Sequence, residues 1–379
     1  MNLLSPEKFF NTLSECDINF FSGVPDSLLK DFCYFVDDQL DSQNHIIAAN
    51  EGSALALGIG YHLATGKIPL IYLQNSGLGN LVNPLISLNA KEVYSIPGIL
   101  LIGWRGEPDV NDEPQHKKQG LITLDLLSVL DIPYKILDPK SEEKKSIEDI
   151  HQCIKQSKNE SRVCALVVKK GFFQKYSQKK DSNAAFPLTR ELAIETILDN
   201  SKEDDLFVST TGLPSRELYE LRDRKNQSHS RDFLVVGGMG HANQIALGIS
   251  LSLPKRRIFC LDGDGAIIMH MGSITSIGTS GQENLVHIVL NNGAHDSVGG
   301  QQTVGMDINF AEIAKNSGYK GVISISTIEE IKDVVTNIEN LKKPLFIEIK
   351  VKKGWRTDIG RPTTTPEQNK KNFMLNLSE

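Results

Sequence analysis

Arg257-Ile258-Phe259-Cys260-Leu261-Asp262-Gly263-Asp264-Gly265 reads as a short apolar strand running into a glycine-rich turn. A helical stretch follows from Ala266 to about Gly281. A second apolar run, Leu285 to Leu290, then ends in Asn291-Asn292-Gly293. Strand, helix and strand in that order form a right-handed crossover, which sets the two strands side by side. Ligands of open α/β sheets sit at the carboxyl ends of strands, where both turns fall. Gly263 and Gly265 let the backbone approach a phosphate closely, and the helix start at Ala266 presents free N–H groups to it. Asp264 offers a hard carboxylate and Asn292 a neutral amide oxygen. A carbonyl just past Asn292 adds a third oxygen, a set suited to Mg²⁺ and its octahedron of oxygens.

The same alternation extends along the chain. Ile18 to Phe21, His45 to Ala49, Ile68 to Leu73, Ile99 to Ile102, Arg162 to Val168, Leu206 to Ser209 and Leu345 to Val351 read as further buried strands. Between them, Asp26 to Gln39, Gly52 to Ala64, Arg190 to Leu198 and Thr327 to Asn340 carry apolar residues at helical spacing. The pattern predicts an α/β protein of two doubly wound parallel-sheet domains. The polar stretch Gln174 to Pro187 interrupts it, ahead of a helix start at Thr189. The domains are therefore placed at 1–175 and 188–379, with 176–187 as the linker. The halves also look alike. Ala56-Leu57-Gly58-Ile59 returns as Ala246-Leu247-Gly248-Ile249, and each copy precedes a strand that ends in a glycine-rich turn, at 75–79 and at 262–265. The reading is an internal duplication.

Composition narrows the class. The 379 residues, 40% apolar and 23% charged, are those of an ordinary globular protein with room for two cores. No apolar run reaches the roughly 20 residues of a membrane span. Met1 to Lys8 lacks the pattern of a secretory signal, so the expected location is cytoplasmic. Cys16, Cys33, Cys153, Cys164 and Cys260 form no CxxC pair and read as reduced thiols. A net charge of −6 excludes a global footprint for nucleic acid, and any anion site must be built locally.

A dinucleotide site competes for the second half. Gly238-Met239-Gly240-His241-Ala242-Asn243 starts like GxGxxG but carries Asn at the third glycine. Asp262 ends a strand about 20 positions later, where a ribose-binding acid would stand. That reading leaves unexplained the spacing from the Gly263-Asp264-Gly265 turn to Asn291-Asn292. The spacing instead resembles the signature of the thiamine-diphosphate (ThDP) dependent decarboxylase family. The resemblance implies a pyrimidine-binding domain, a diphosphate-binding domain and no middle domain. It implies ThDP and Mg²⁺ as cofactors, with Asp264, Asn292 and the Ala294 carbonyl on the metal. Asn50-Glu51-Gly52 matches the family's activating glutamate, which makes Glu51 the catalytic carboxylate. Gly237-Gly238-Met239-Gly240 matches the segment that bends the cofactor, with Met239 between the rings and the Gly237 carbonyl on the 4′-amino group. Thr210 and Thr211 are candidate diphosphate donors, although a plain turn and helix cap also explains them. The family builds each site from two subunits, so at least a homodimer is expected, with the site at its interface.

Further segments resemble the phosphonopyruvate decarboxylases, with the sulfopyruvate decarboxylases as relatives. They are Gly23-Val24-Pro25-Asp26-Ser27, Trp104 to Pro108, Asp112 to His116, and Gly360-Arg361-Pro362 through Pro366. The implied reaction is 3-phosphonopyruvate to phosphonoacetaldehyde and CO₂. Sulfopyruvate decarboxylation is the alternative, and a non-catalytic ThDP-binding subunit is the alternative of a different class. Asp26 and His116 are candidate proton carriers. Arg105, Lys117 (or its neighbour Lys118) and Arg361 are candidate cations for the substrate's anionic group, Arg105 first because guanidinium grips oxyanions in a fork. The sequence does not choose among them.

Overall fold

Apolar strands and amphipathic helices alternate along both halves. The structure is a computed structural model that describes residues 3–179 and 186–378. It divides into two units, Met1–Ser182 and Asn183–Glu379. The first holds α1 (Pro6–Ser14), β1 (Phe21–Gly23), α2 (Lys30–Gln39), β2 (His45–Ile47), α3 (Glu51–Thr65), β3 (Leu70–Gln74), α4 (Leu78–Pro84), β4 (Gly98–Gly103), α5 (Pro114–Val129), β5 (Tyr134–Leu137), α6 (Glu143–Glu160) and β6 (Val163–Val168). The second opens with α7 (Arg190–Asn200), β7 (Leu206–Ser209), α8 (Leu213–Arg224), β8 (Asp232–Leu234), α9 (Ala242–Ser252), β9 (Ile258–Gly263), α10 (Asp264–Met269) and α11 (Ser273–Thr279). It continues with β10 (Leu285–Asn291), β11 (Ala294–His295), β12 (Gln301–Gln302), α12 (Phe310–Asn316), β13 (Gly321–Ile325), α13 (Ile328–Thr336), β14 (Leu345–Lys350) and α14 (Pro366–Ser378).

Side-chain caps fix several helix starts. Ser5, Asn50 and Thr189 accept the backbone N–H of Lys8, Ser53 and Leu192, which begins α1, α3 and α7. Each unit carries one six-stranded sheet, ordered β2-β1-β3-β4-β6-β5 and β13-β14-β10-β9-β7-β8, with every pair parallel. Numbered within its own unit, and leaving aside the β11–β12 ribbon, each sheet has the order 2-1-3-4-6-5. The shared order supports the duplication read from the repeated Ala-Leu-Gly-Ile segments. Alternate residues feed separate cores on the two faces of each sheet. Tyr72, Leu101 and Leu166 enter one core of the first unit, and Leu73, Leu100 and Val167 the other. Leu261 and Ile288 face one core of the second unit, and Cys260 and Val289 the other.

The strand order reverses between β1 and β3 and again between β7 and β9. These switch points are where an open α/β sheet leaves a crevice at its carboxyl edge. Gly23–Ser27 follows β1, Thr210–Gly212 follows β7 and Asp262–Gly265 ends β9, whereas Asn50-Glu51 follows β2 and Asn291-Asn292 ends β10. β9 and β10 are direct neighbours, with Gly263 opposite Leu290.

Some boundaries move. The single helix read from Ala266 to Gly281 is two short helices, α10 and α11, broken at His270–Gly272 and starting earlier, at Asp264. Asp26 does not open a helix. Its carboxylate accepts the Leu28 N–H at 2.9 Å in a local turn, and α2 begins only at Lys30. Strands β5, β8 and β13 were not legible as strands. All three are sheet edges, where burial is partial and the apolar run short. Part of the expected linker is tied to the first unit. The Tyr176 N–H donates to Asp31 at 3.0 Å, and its hydroxyl donates to Asp38 at 3.1 Å. Residues 180–185 of that linker lie outside the described residues. Among the described residues no helix is long and apolar enough to cross a membrane.

Candidate active site

The second unit gathers four turns at its switch point. Asp264 begins α10 and is almost wholly buried. Its Oδ2 accepts from the Thr303 hydroxyl, which itself accepts the Gly305 N–H at 3.1 Å. Burial pushes the Asp264 carboxyl up to about 6, against the hydrogen bonds from Thr303 and from backbone N–H groups. Gly305 packs so closely that a Cβ there would stand 2.7 Å from Asp264 Oδ2 and 2.8 Å from Asn291 Oδ1. Asn291 is spent on structure: its amide donates to Gly305 O at 2.7 Å and to Glu348 at 2.8 Å. Asn292 donates to Asp296 Oδ2 at 2.6 Å. A carboxylate can only accept, so this contact fixes the amide's orientation and keeps Oδ1 on the other side.

Asp296 is anchored in turn. It accepts from Arg190 at 3.0 Å and from the Gly354 N–H at 3.1 Å, while Arg190 grips Glu217 with two bonds of 2.8 and 2.9 Å. Arg190, Glu217 and Asp296 are all buried. The sequence reading missed this network, Thr303 and His295. Arg190 and Glu217 lie far from the signature in sequence, and only Asp296, four positions after Asn292, was within its reach. Replacing Arg190 with Met strands two carboxylates in the core. It is expected to destabilise the protein by about 3–5 kcal/mol, and a urea-unfolding loss under 1 kcal/mol would show the network to be dispensable.

The remaining diphosphate-side residues lie nearby. Thr210 is buried with no hydrogen-bond partner for its hydroxyl, whereas the Thr211 hydroxyl already donates to Val236 O at 2.9 Å. Thr210 thus suits a ligand better than Thr211. A Cβ on Gly263 would meet nothing within 4 Å, so that glycine keeps open space beside the backbone. A Cβ on Gly265 would stand 2.8 Å from the His295 ring and 3.3 Å from Met239 Cε, which places Met239 and His295 over the turn. Gly238 and Gly240, flanking Met239, take φ of +68° and +86°, where residues with a Cβ are strained. A buried carboxylate beside an oriented amide, an unpartnered hydroxyl and an open glycine are a fit for a diphosphate held through a cation.

The first unit has its own cluster at the ends of β1, β3 and β4. Glu51, the first residue of α3, is buried and accepts from Asn80 at 2.6 Å. A Cβ on Gly77 would stand 2.1 Å from Glu51 Oε1, so the glycine turn after β3 exists to admit this carboxylate. Asp26 is fully buried, accepts from Gln74 at 2.8 Å, and is pushed above its usual range by that burial. His116 sits in the first turn of α5. Burial and then Arg105 lower its imidazole to about 4, and its Nδ1 has no partner. Burial thus keeps Asp26 protonated to higher pH than an ordinary carboxyl, toward the range of general acid–base work, and keeps the His116 imidazole neutral down to about pH 4.

The candidate cations differ in their surroundings. Arg105 donates to Asp112 through Nε and Nη2 and to Ser27 at 2.8 Å through Nη1. Burial works against ionisation of Asp112, but Arg105 and the N–H groups of Glu113 and Gly106 hold it well below the usual carboxylate range. Arg105's fork is thus already engaged. Lys117 and Lys118 are exposed on α5. Arg361 is exposed in a segment tied to α8, where Thr363 meets Tyr219 at 2.8 Å and the Gly360 N–H meets Glu220.

Both halves of the chain resemble known proteins. Residues 6–128 match the thiamine pyrophosphate enzyme N-terminal TPP binding domain, and residues 211–349 match the C-terminal TPP binding domain. Phosphonopyruvate decarboxylase of Streptomyces viridochromogenes is 31% identical, over 93% of this chain and 89% of that one. Phosphonopyruvate decarboxylase of Streptomyces hygroscopicus is 29% identical, over 98% and 93%. Sulfopyruvate decarboxylase of Methanosarcina acetivorans is 26% identical, over 100% and 99%. The chain belongs to the thiamine-diphosphate-dependent decarboxylase family. Within it the chain is a carboxy-lyase of the phosphonopyruvate and sulfopyruvate decarboxylase type, with its two ThDP-binding domains joined without a middle domain between them.

Proposed function

We propose that this enzyme converts 3-phosphonopyruvate to phosphonoacetaldehyde and CO₂, using ThDP held through Mg²⁺. The observation that carries the substrate is full-length similarity: both Streptomyces relatives bear that name, at higher identity than the methanogen's sulfopyruvate enzyme. When bound, ThDP supplies the electron sink for the pair left as CO₂ departs. In this reading Asp264, Asn292 Oδ1 and the Ala294 carbonyl hold the cation. Thr210 and the backbone around Gly263, Gly265 and Ala266 hold the diphosphate. The Gly237 carbonyl and Met239 set the cofactor's bend. Glu51 holds the proton at the pyrimidine nitrogen, acting from one subunit of a homodimer on the diphosphate site of another. Asp26 and His116 move the proton needed at the carbon that has lost CO₂. Arg105, sharing itself between Asp112 and the substrate, is the first choice of cation for the phosphonate.

Sulfopyruvate is the second reading, favoured by the match of the methanogen enzyme along the whole chain. Purified protein should form phosphonoacetaldehyde only when ThDP and Mg²⁺ are both supplied. Equal or faster turnover of sulfopyruvate would reassign the substrate, and activity in the presence of excess chelator would remove the metal.

A further inference from the structure

The chain between Asn292 and Thr303 folds back on itself as a ribbon. β11 and β12 pair antiparallel, with His295 opposite Gln301 and Ala294 opposite Gln302. The Thr303 N–H closes the ribbon onto Gly293 O at 3.0 Å. Both ends are therefore fixed to the cofactor side of the sheet, through Asn292 at the start and through Thr303 and Asp264 at the finish. Residues directly opposite in an antiparallel pair share a face. Gln302 faces outward and is exposed, while Gln301 is 1% exposed and lies on the His295 face. That face is aimed: the His295 ring lies over Gly265 beside Met239 Cε.

Gln301 is buried with both ends of its amide unsatisfied, since neither Nε2 nor Oε1 has a hydrogen-bond partner. A primary amide brings two donors and two acceptor sites into the core, and buried polar groups are paired in all but a few cases. Leu or Met would fill the same space without that penalty. The amide belongs there only if something in the working enzyme meets it. The diphosphate end already has its own partners in the glycine turn, in Thr210 and in the cation held by Asp264 and Asn292. The remaining polar guest on the Met239 side is the substrate.

We propose that Gln301 is a substrate-contacting residue, whose side-chain N–H₂ donates to an oxygen anion of the bound 2-oxo acid. This inference rests on the ThDP-decarboxylase reading of the site. A neutral amide also suits the chemistry. It orients an oxyanion without the strong charge pairing that would stabilise a departing carboxylate more in the ground state than in the transition state.

The test is Gln301→Leu, with Gln301→Asn beside it as a shorter amide that keeps the polarity. KM for phosphonopyruvate, the dissociation constant of ThDP with Mg²⁺, and Tm are measured for both variants. Loss of one hydrogen bond to a charged group should raise KM about 10- to 100-fold, with ThDP affinity within twofold of wild type. Pyruvate, which lacks the phosphonate, is added as a competitor. A parallel rise in its inhibition constant assigns the contact to the carboxylate, and an unchanged constant assigns it to the phosphonate. An unchanged KM, or a rise in the ThDP constant in place of KM, overturns the proposal. If Gln301→Leu does not fold, Gln301→Asn carries the same readouts. Failure of the wild-type protein to turn over phosphonopyruvate or sulfopyruvate would instead overturn the function proposed above.

Discussion

Glu51→Gln is expected to lower kcat by about 10²- to 10⁴-fold, the usual range for removing a positioned proton carrier, while ThDP still binds within a few-fold. The substitution keeps size and hydrogen-bonding reach. The new amide can present its oxygen to Asn80, whose Nδ2 donates to Glu51 at 2.6 Å. It can still lie in the space that Gly77 leaves open. What it cannot do is take and return a proton, so the loss should fall on kcat and not on binding. Single-turnover assays with saturating cofactor, paired with ThDP titrations followed by intrinsic fluorescence, separate the two. A variant retaining more than a tenth of wild-type kcat would remove Glu51 from the mechanism and reopen Asp26, also fully buried in the same unit, as the activating carboxylate.

The parts of this protein that were legible in its sequence are those whose signal is local. A strand that ends in Asp262-Gly263-Asp264-Gly265 announces its own turn. The Leu285–Asn291 strand is a buried run, apolar but for His287 and the closing Asn291, and both strands fall where the chain pattern puts them. Asn50 and Thr189 announce the starts of α3 and α7 by the same kind of local chemistry. The hidden parts depend on residues brought together from afar. Asp296 meets Arg190 across 106 positions, and Thr303 meets Asp264 across 39. No period or motif links such pairs. Gln301 is hidden for a further reason. A glutamine in a glycine-rich stretch reads as a surface loop, and only the ribbon register shows that Gln301 turns inward while Gln302 turns outward. Arg105 shows the opposite failure. Its residue type suits an anion, but the structure has already filled its fork with Asp112, so residue type alone overstated its freedom.

Asp264→Asn is expected to make the cofactor-free protein more stable and the enzyme inactive. Burial raises the Asp264 carboxyl from an ordinary 3.8 to about 6. A folded-state value above the unfolded one means that the fold prefers the protonated acid. That preference favours folding fully below about pH 4 and is lost as pH rises through about 6. Above this window the apo-protein carries a buried carboxylate with no cation, a burden on the order of 2–3 kcal/mol. Asparagine keeps an acceptor for the Thr303 hydroxyl and removes the charge. At pH 7.5 the variant's apo form should therefore unfold at higher denaturant than wild type, and the gap should close as pH falls from 6 toward 4. The order should invert when Mg²⁺ and ThDP are added, because ligands stabilise only the form that binds them, and the variant lacks the carboxylate proposed to hold the cation. A variant whose apo form is no more stable at pH 7.5 would show that the carboxylate is compensated within the chain. A variant whose Tm rises with Mg²⁺ and ThDP as far as wild type would place the metal elsewhere. Both measurements bear on one physical point: a carboxylate held this far from water, with a hydroxyl and backbone N–H groups as its partners, is costly as an anion until a cation shares its site.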